Sequence, residues 1–273
     1  MYNVIVPEVC DMKITVLGSG SKGNATHIDT GETRLLIDAG FSYRQLKRRS
    51  AIKGIDIDAV DAVLVTHEHR DHVYGLDMLL RRTRATLYAT APTRTCLQRQ
   101  CTTLNDPMRF IDIRPGVASL VGDATVWSRE VSHDAVNTVG FVIEAKGRRL
   151  VYLTDIGFLP SADYVHYENA DMYVFEANYD AALLFSSDRP YHLKRRIDSV
   201  KGHMSNHDSA YHMSRLVGEK TKCVVLAHPS EECNTPRHAL KTYEDVFTAY
   251  GLRIEDYRVV VALQHDPIGP IDV

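Results

Sequence analysis

Short apolar runs recur along the chain, among them Ile14-Thr15-Val16-Leu17, Leu35-Leu36-Ile37, Ala62-Val63-Leu64-Val65, Val151-Tyr152-Leu153 and Val224-Val225-Leu226-Ala227. Runs this short, rich in β-branched and aliphatic residues and bounded by polar or glycine-containing segments, read as buried strands. The pattern predicts strands at 13–18, 24–29, 34–38, 61–66, 85–89, 108–113, 124–132, 139–145, 149–154, 172–177, 223–227 and 257–263. It predicts helices near 42–52, 74–82, 91–101, 162–169, 190–199, 207–217 and 236–250. The last helix is bracketed by its own punctuation, with Thr235 as N-cap, Pro236 at the first helical position and Gly251 just past the end. Strands alternating with helices argue an α/β architecture. An internal echo, Leu36-Ile37-Asp38-Ala39-Gly40 against Leu153-Thr154-Asp155-Ile156-Gly157, fits two similar halves packed sheet to sheet. No linker interrupts the pattern, so residues 12–273 are expected to form one domain, with 1–11 a short extension ahead of Met12.

Composition changes this picture little. With 273 residues, 44% of them hydrophobic and 25% charged, the chain can bury a substantial core without staples. A net charge of −3 gives no global attraction to nucleic acid, so any such binding must come from a local patch. Cys10, Cys96, Cys101, Cys223 and Cys233 form an odd set without a C-x-x-C pair and read as free thiols of a reducing, cytoplasmic compartment. No apolar run approaches 18 residues and no secretory leader pattern opens the chain, so no membrane partner is expected.

The chemistry concentrates in Thr66-His67-Glu68-His69-Arg70-Asp71-His72, directly after a predicted strand. Four metal-ligating side chains within six residues exceed anything packing requires, and a rigid strand end is where a metal site is best held. Imidazole and carboxylate donors without thiolate suit Zn or Mn, with Fe also tolerated. Three more candidates close predicted strands elsewhere: His133, Asp155 and His228.

The spacing His-x-His-x-Asp-His, followed by those three residues, resembles the signature of the metallo-β-lactamase-fold hydrolases. The resemblance implies an αβ/βα four-layer sandwich: two mixed sheets face to face, with helices on both outer faces. It also implies two divalent metal ions, with His67, His69 and His133 on one, Asp71, His72 and His228 on the other, and Asp155 bridging. All seven positions are filled, and His69 stands where the oxygen-reducing diiron branch carries Glu. Two ions on such ligands suit hydrolysis of esters, amides or phosphodiesters.

A competing pattern, Gly18-Ser19-Gly20-Ser21-Lys22-Gly23, matches a dinucleotide-binding loop, with Asp38 20 residues beyond its first glycine. That fingerprint requires a helix between the glycines and the acidic residue. The interval instead carries β-branched residues and a Thr-Gly turn, which predicts a hairpin. The loop is then expected either to approach the metal pocket, where Ser19, Ser21 or Asn24 would contact an anionic substrate, or to be a purely structural turn.

Substrate choice falls to the pocket lining. Tyr191 to Asn206 contains Lys194, Arg195, Arg196 and Lys201 together with His203. With the opening Gly-Ser-Gly-Ser-Lys-Gly-Asn-Ala and the later Glu176-Ala177-Asn178-Tyr179-Asp180, this segment resembles the YycJ/WalJ branch of the same superfamily, near the tRNase Z and RNase J nucleases. The resemblance covers residues 12 to about 265 and implies a metal-dependent exonuclease acting on DNA. It places Asp71 and His203 in catalytic roles, His203 as a proton donor to the leaving 3′ oxygen or a phosphate ligand. Phosphate neutralisation by Lys194, Arg195, Arg196 and Lys201 would suit a polyanion, with Asn178 and Asn206 also expected against the substrate; the alternative for the charge run is a solvated helix face. A small-substrate hydrolase on the same metals (a cyclic-nucleotide phosphodiesterase, lactonase or thioesterase) is the alternative. A non-catalytic binding scaffold would have no use for seven intact ligands. A nucleic acid or nucleotide phosphodiester is therefore the expected partner, while homo-oligomerisation, DNA against RNA and the polarity of attack stay open.

Overall fold

The computed structural model describes residues 12–273, so the expected extension at 1–11, with Cys10, lies outside the described residues. One sheet runs β14 (Ile268–Asp272), β1 (Lys13–Gly18), β2 (Ala25–Asp29), β3 (Arg34–Ile37), β4 (Ala62–Leu64), β5 (Thr86–Thr90) and β6 (Phe110–Ile113). The other runs β13 (Arg258–Val261), β12 (Cys223–Ala227), β11 (Met172–Glu176), β10 (Arg148–Leu153), β9 (Val139–Ala145), β8 (Ala124–Glu130) and β7 (Ala118–Val121). Both sheets are mixed in the same way. β14, β1, β2 and β3 pair antiparallel and β3 to β6 parallel. In the second sheet, β7 to β10 pair antiparallel and β10 to β13 parallel. β3 and β10 thus hold equivalent places, which is the structural content of the echo between Asp38 and Asp155.

The period of two along each strand divides its side chains between two cores. Ala62 and Leu64 join Ile14, Ile28 and Ile37 against Phe141, Tyr152, Val174 and Val225 between the sheets. Val63 and Val65 point the other way, onto Leu46 of α1 (Tyr43–Ile52), Leu76, Leu79 and Leu80 of α3 (Leu76–Arg82), and Leu97 of α4 (Ala91–Leu97). Val224 and Leu226 meet Ala210, Met213 and Leu216 of α7 (Asn206–Leu216) and Tyr243 and Phe247 of α8 (Pro236–Ala249). Strands buried on both faces are why these segments read as continuous apolar runs, and each such side chain contributes about 1.5–3 kcal/mol. The result is the helix–sheet–sheet–helix sandwich that the resemblance implied. No helix among the described residues is long and apolar enough to cross a membrane. Cys96, Cys101, Cys223 and Cys233 are free thiols.

Several elements depart from the sequence pattern. β7 and β14 were not expected. β7 carries mostly exposed side chains, and β14 contains a Gly-Pro pair that reads as a turn. Both are edge strands, paired on one side only, where proline and exposed residues are tolerated. The expected helix at 162–169 is a 3₁₀ segment, Ser161–His166. Two short helices were missed: α2 (Arg70–Val73), inside the His-rich loop, and α5 (Ala181–Ser186), capped by Asp180 accepting from the Leu183 amide. The basic segment forms α6 (Tyr191–Ile197). The glycine loop leads into the β2–β3 hairpin, as its sequence predicts.

Candidate metal centre

The site lies along one rim, where strands β3, β4, β8, β10, β11 and β12 end. Each strand delivers a polar residue at or just past its last apolar position: Asp38, His67, His133, Asp155, Glu176 and His228. Asp38, Asp155 and His228 take left-handed backbone conformations, with φ of 61°, 54° and 55°. Such conformations cost roughly 1–3 kcal/mol in a residue with a side chain and persist where the surroundings fix them. Glycines make the close approaches. A Cβ on Gly40 would stand 1.6 Å from the Asp71 carbonyl oxygen, and one on Gly202 would stand 2.2 Å from those of Arg196 and Ile197.

His67, His69 and His133 converge, with one ligand atom each lying within 4.8 Å of the others. So do Asp71, His72 and His228, while Asp155 lies with His67 and His72 in a third group. Asp155 stands between the first two sets: Oδ2 is 3.1 Å from His72 Nε2, and Oδ1 is 3.7 Å from both His133 Nε2 and His228 Nε2. Ring nitrogens facing away from this centre are engaged. His72 Nδ1 donates to Asp38 Oδ2 at 2.7 Å, and His133 Nδ1 to the Gly202 carbonyl at 3.0 Å. His228 Nδ1 lies 3.2 Å from Glu176 Oε1. Such partners fix which nitrogen points inward. The inward atoms His67 Nε2, His228 Nε2 and Asp155 Oδ2 are buried with no hydrogen-bond partner. Buried polar atoms are rarely left unpaired, so these donors fit divalent cations.

The electrostatics agree. Burial, with the neighbouring His72 charge, holds His67 well below the usual imidazole range. Burial also lowers His133. Burial would likewise lower His72, yet the carboxylates of Asp155 and Asp38 push it well above that range. His228 rises to about 10 against its burial, through Asp155, Asp71 and Glu176. Burial would raise Asp155, but His228 and His72 hold it far below the carboxylate range. A buried carboxylate centre demands positive charge. Divalent ions bound here would supply it.

His203, just past Gly202, donates Nδ1 to Glu176 Oε1 at 2.8 Å, and its ring stacks on His228 with centroids 5.1 Å apart. Glu176 is completely buried and also accepts from the Ile156 amide at 2.6 Å. Asp38, Thr66 and Glu176 are the organising residues that the sequence pattern did not single out for the site. Thr66 Oγ1 lies within hydrogen-bond distance of Asp38, His67 and His72.

The other expected substrate contacts divide. Ser19 and Asn24 are buried and turned inward. The Ser19 hydroxyl accepts from the His228 amide at 2.8 Å, and Asn24 Nδ2 lies 3.0 Å from His72 Nε2. Ser21 is exposed on the glycine loop. Asn178 donates to the His228 carbonyl at 2.7 Å, and Asn206 exchanges amide bonds with Asn234. Lys194 donates to the Phe185 and Ser187 carbonyls at 2.8 and 2.6 Å, so it caps the end of α5. Arg196 pairs with Asp134, the neighbour of His133. Arg195 is largely exposed, 3.6 Å from Asp198. Lys201 is exposed in the loop before His203.

Residues 33–228 match the family described as the β-lactamase superfamily domain. The chain is 35% identical over 224 residues to an exodeoxyribonuclease WalJ of Streptococcus pneumoniae, a match covering 81% of this chain and 83% of that protein. It is 32% identical over 243 residues to an exodeoxyribonuclease YycJ of Bacillus anthracis, covering 89% and 92%. Among solved structures, the metallo-β-lactamase fold protein YhfI from Bacillus subtilis superposes with a TM-score of 0.72 at 18% identity. That match covers 94% of this chain and 99% of the other and is a likeness of fold.

Proposed function

The chain belongs to the β-lactamase superfamily and, within it, to the family of the WalJ and YycJ exodeoxyribonucleases, and from that premise we propose that it removes nucleotides from DNA ends by metal-dependent phosphodiester hydrolysis. Residues 12–273 act as one catalytic domain. The carrying observation is the convergence of seven His and Asp side chains, three of which (His67, His228 and Asp155) turn a buried atom without a hydrogen-bond partner inward. His67, His69 and His133 would hold one ion and Asp71, His72 and His228 the other, with Asp155 available to both. Zn or Mn suits this oxygen and nitrogen set. When bound, the ions supply an acidified water and polarise the phosphodiester.

The remaining steps fall to the protein. Glu176 holds His203 Nδ1, so Nε2 is the atom left to pass a proton to the departing 3′ oxygen. Asp38 and Thr66 fix the orientation of His72, and Ser19 and Asn178 fix the His228 backbone. Arg195 and Lys201 offer exposed charge to the phosphate backbone, with Arg196 held close by Asp134.

The purified protein, given Mn or Zn, should progressively shorten end-labelled duplex DNA. Hydrolysis of cyclic mononucleotides with DNA and RNA left intact would replace this reading by the small-substrate one. Degradation of RNA alone would move the protein toward the ribonuclease relatives.

A further inference from the structure

A cavity of about 620 Å³ opens beside His69, formed by α2, the start of α3 and the chain around residues 97–101. The basic helix α6 contributes nothing to it, and none of the residues expected to bind substrate lines it. Its size is that of small-ligand sites, which run to roughly 300–1,000 Å³. Leu76 and Leu97 supply an apolar floor, Gln100 adds an amide, and Glu68 and Asp77 add carboxylates able to accept from the exocyclic amine of a base. Tyr74 lines the wall and stays 55% exposed, so its ring is open to solvent. The Arg70 guanidinium lies 4.7 Å from the Tyr74 ring centroid, which steadies the ring and brings a cation to the same edge.

An aromatic platform, an apolar floor, a hydrogen-bonding amide and a cation are the parts that hold a nucleobase with its phosphate. Because His69 forms one wall, a base in this cavity would lie next to the ligands of the first ion. We propose that the cavity is a nucleotide subsite. It receives the end nucleotide of the strand being cut, with the base stacked on Tyr74 and a phosphate on Arg70. This rests on the nuclease reading above and extends it, since the end base must leave its pair to enter. Unpairing is least costly at a frayed end, and stacking on Tyr74 offsets it.

The test uses the metal-loaded protein and phosphorothioate-linked oligodeoxynucleotides that resist turnover, carrying 2-aminopurine at the 5′ or the 3′ end. Binding should quench the fluorophore at one end and not the other. Tyr74→Leu should abolish that quenching and weaken binding about tenfold, the loss of one stacked base. Tyr74→Phe should keep both, and oligonucleotides with an abasic end should bind the wild type and Tyr74→Leu alike. Equal quenching by the wild type and Tyr74→Leu, or no quenching at either end, would overturn the subsite. Cleavage of ordinary duplex DNA is read in parallel. Its absence, with Tyr74-dependent quenching intact, would sink the nuclease reading and leave the subsite standing. Cleavage without such quenching would sink the subsite alone.

Discussion

Asp155 is the residue on which the centre turns, because its two oxygens face ligands of both sets. Asp155→Ala should fold, since the packed cores do not use that carboxylate, yet it should lose bound metal and at least about a thousandfold in turnover, equivalent to roughly 4 kcal/mol of transition-state stabilisation. Metal analysis beside a turnover assay checks this, and wild-type turnover in a metal-replete variant would end the two-ion proposal. His203 calls for a different experiment. A proton donor accelerates departure of a poor leaving group by roughly 10²–10⁴-fold and matters little to a good one. His203→Ala should therefore slow DNA cleavage far more than cleavage of bis-p-nitrophenyl phosphate, with metal content unchanged. Equal losses on both would make His203 a phosphate ligand, and lost metal would make it part of the cation site. The seven ligand candidates were legible because four crowd one short loop in a His-x-His-x-Asp-His pattern and three more follow predicted strands. Asp38 and Glu176 were not, since the ring nitrogen each engages lies 34 or 27 residues away and is brought close only by the fold.

Among the elements, α6 shows how a run of charges misleads. Lys194, Arg195 and Arg196 read as one cationic track, but a helix sends successive side chains about 100° apart. Lys194 consequently turns back to cap α5, Arg196 reaches Asp134, and Arg195 stays in solvent. Lys194→Met should lower stability by about 1.5 kcal/mol, the lower end for a hydrogen bond from a charged group, and leave the salt dependence of DNA binding in place. Arg195→Gln with Lys201→Gln should weaken binding and flatten its log–log salt slope by up to about 2. Binding titrations from low to moderate salt, alongside melting curves, separate the two effects. A reduced slope in Lys194→Met would return that residue to the nucleic-acid track. Strands buried on both faces were the easiest elements to read, because nothing in them competes with the apolar signal. Edge strands β7 and β14 and the brief α2 and α5 escaped because packing on one side leaves little periodic trace in four to six residues.

At the scale of the molecule, three extended cores lie between and outside the sheets, and the metal ligands sit at their rim, so metal and fold are coupled weakly. Chelation should leave the far-ultraviolet circular dichroism intact and lower Tm by several degrees, since an ion at a hundredfold its Kd adds about 2.7 kcal/mol. A chelated protein that unfolded outright would show the centre to be structural. The metal-free protein should then reveal an acid weakness at a histidine that is not a metal ligand. His27 sits in β2, opposite Leu36 of the helix-side core, with a buried Nε2 that has no partner. Burial lowers its pKa to about 4. Between about 4 and 6.5 the unfolded chain binds this proton and the folded chain does not. The contribution is therefore complete above pH 6.5 and drains away as pH falls toward 4, by up to about 3 kcal/mol. Urea unfolding of the metal-free protein at pH 7 and pH 4.5 should show a loss of stability that is smaller by about 2–3 kcal/mol in His27→Leu, which has no proton to bind in either state. The same loss in both proteins would mean that the folded chain accommodates a charged His27.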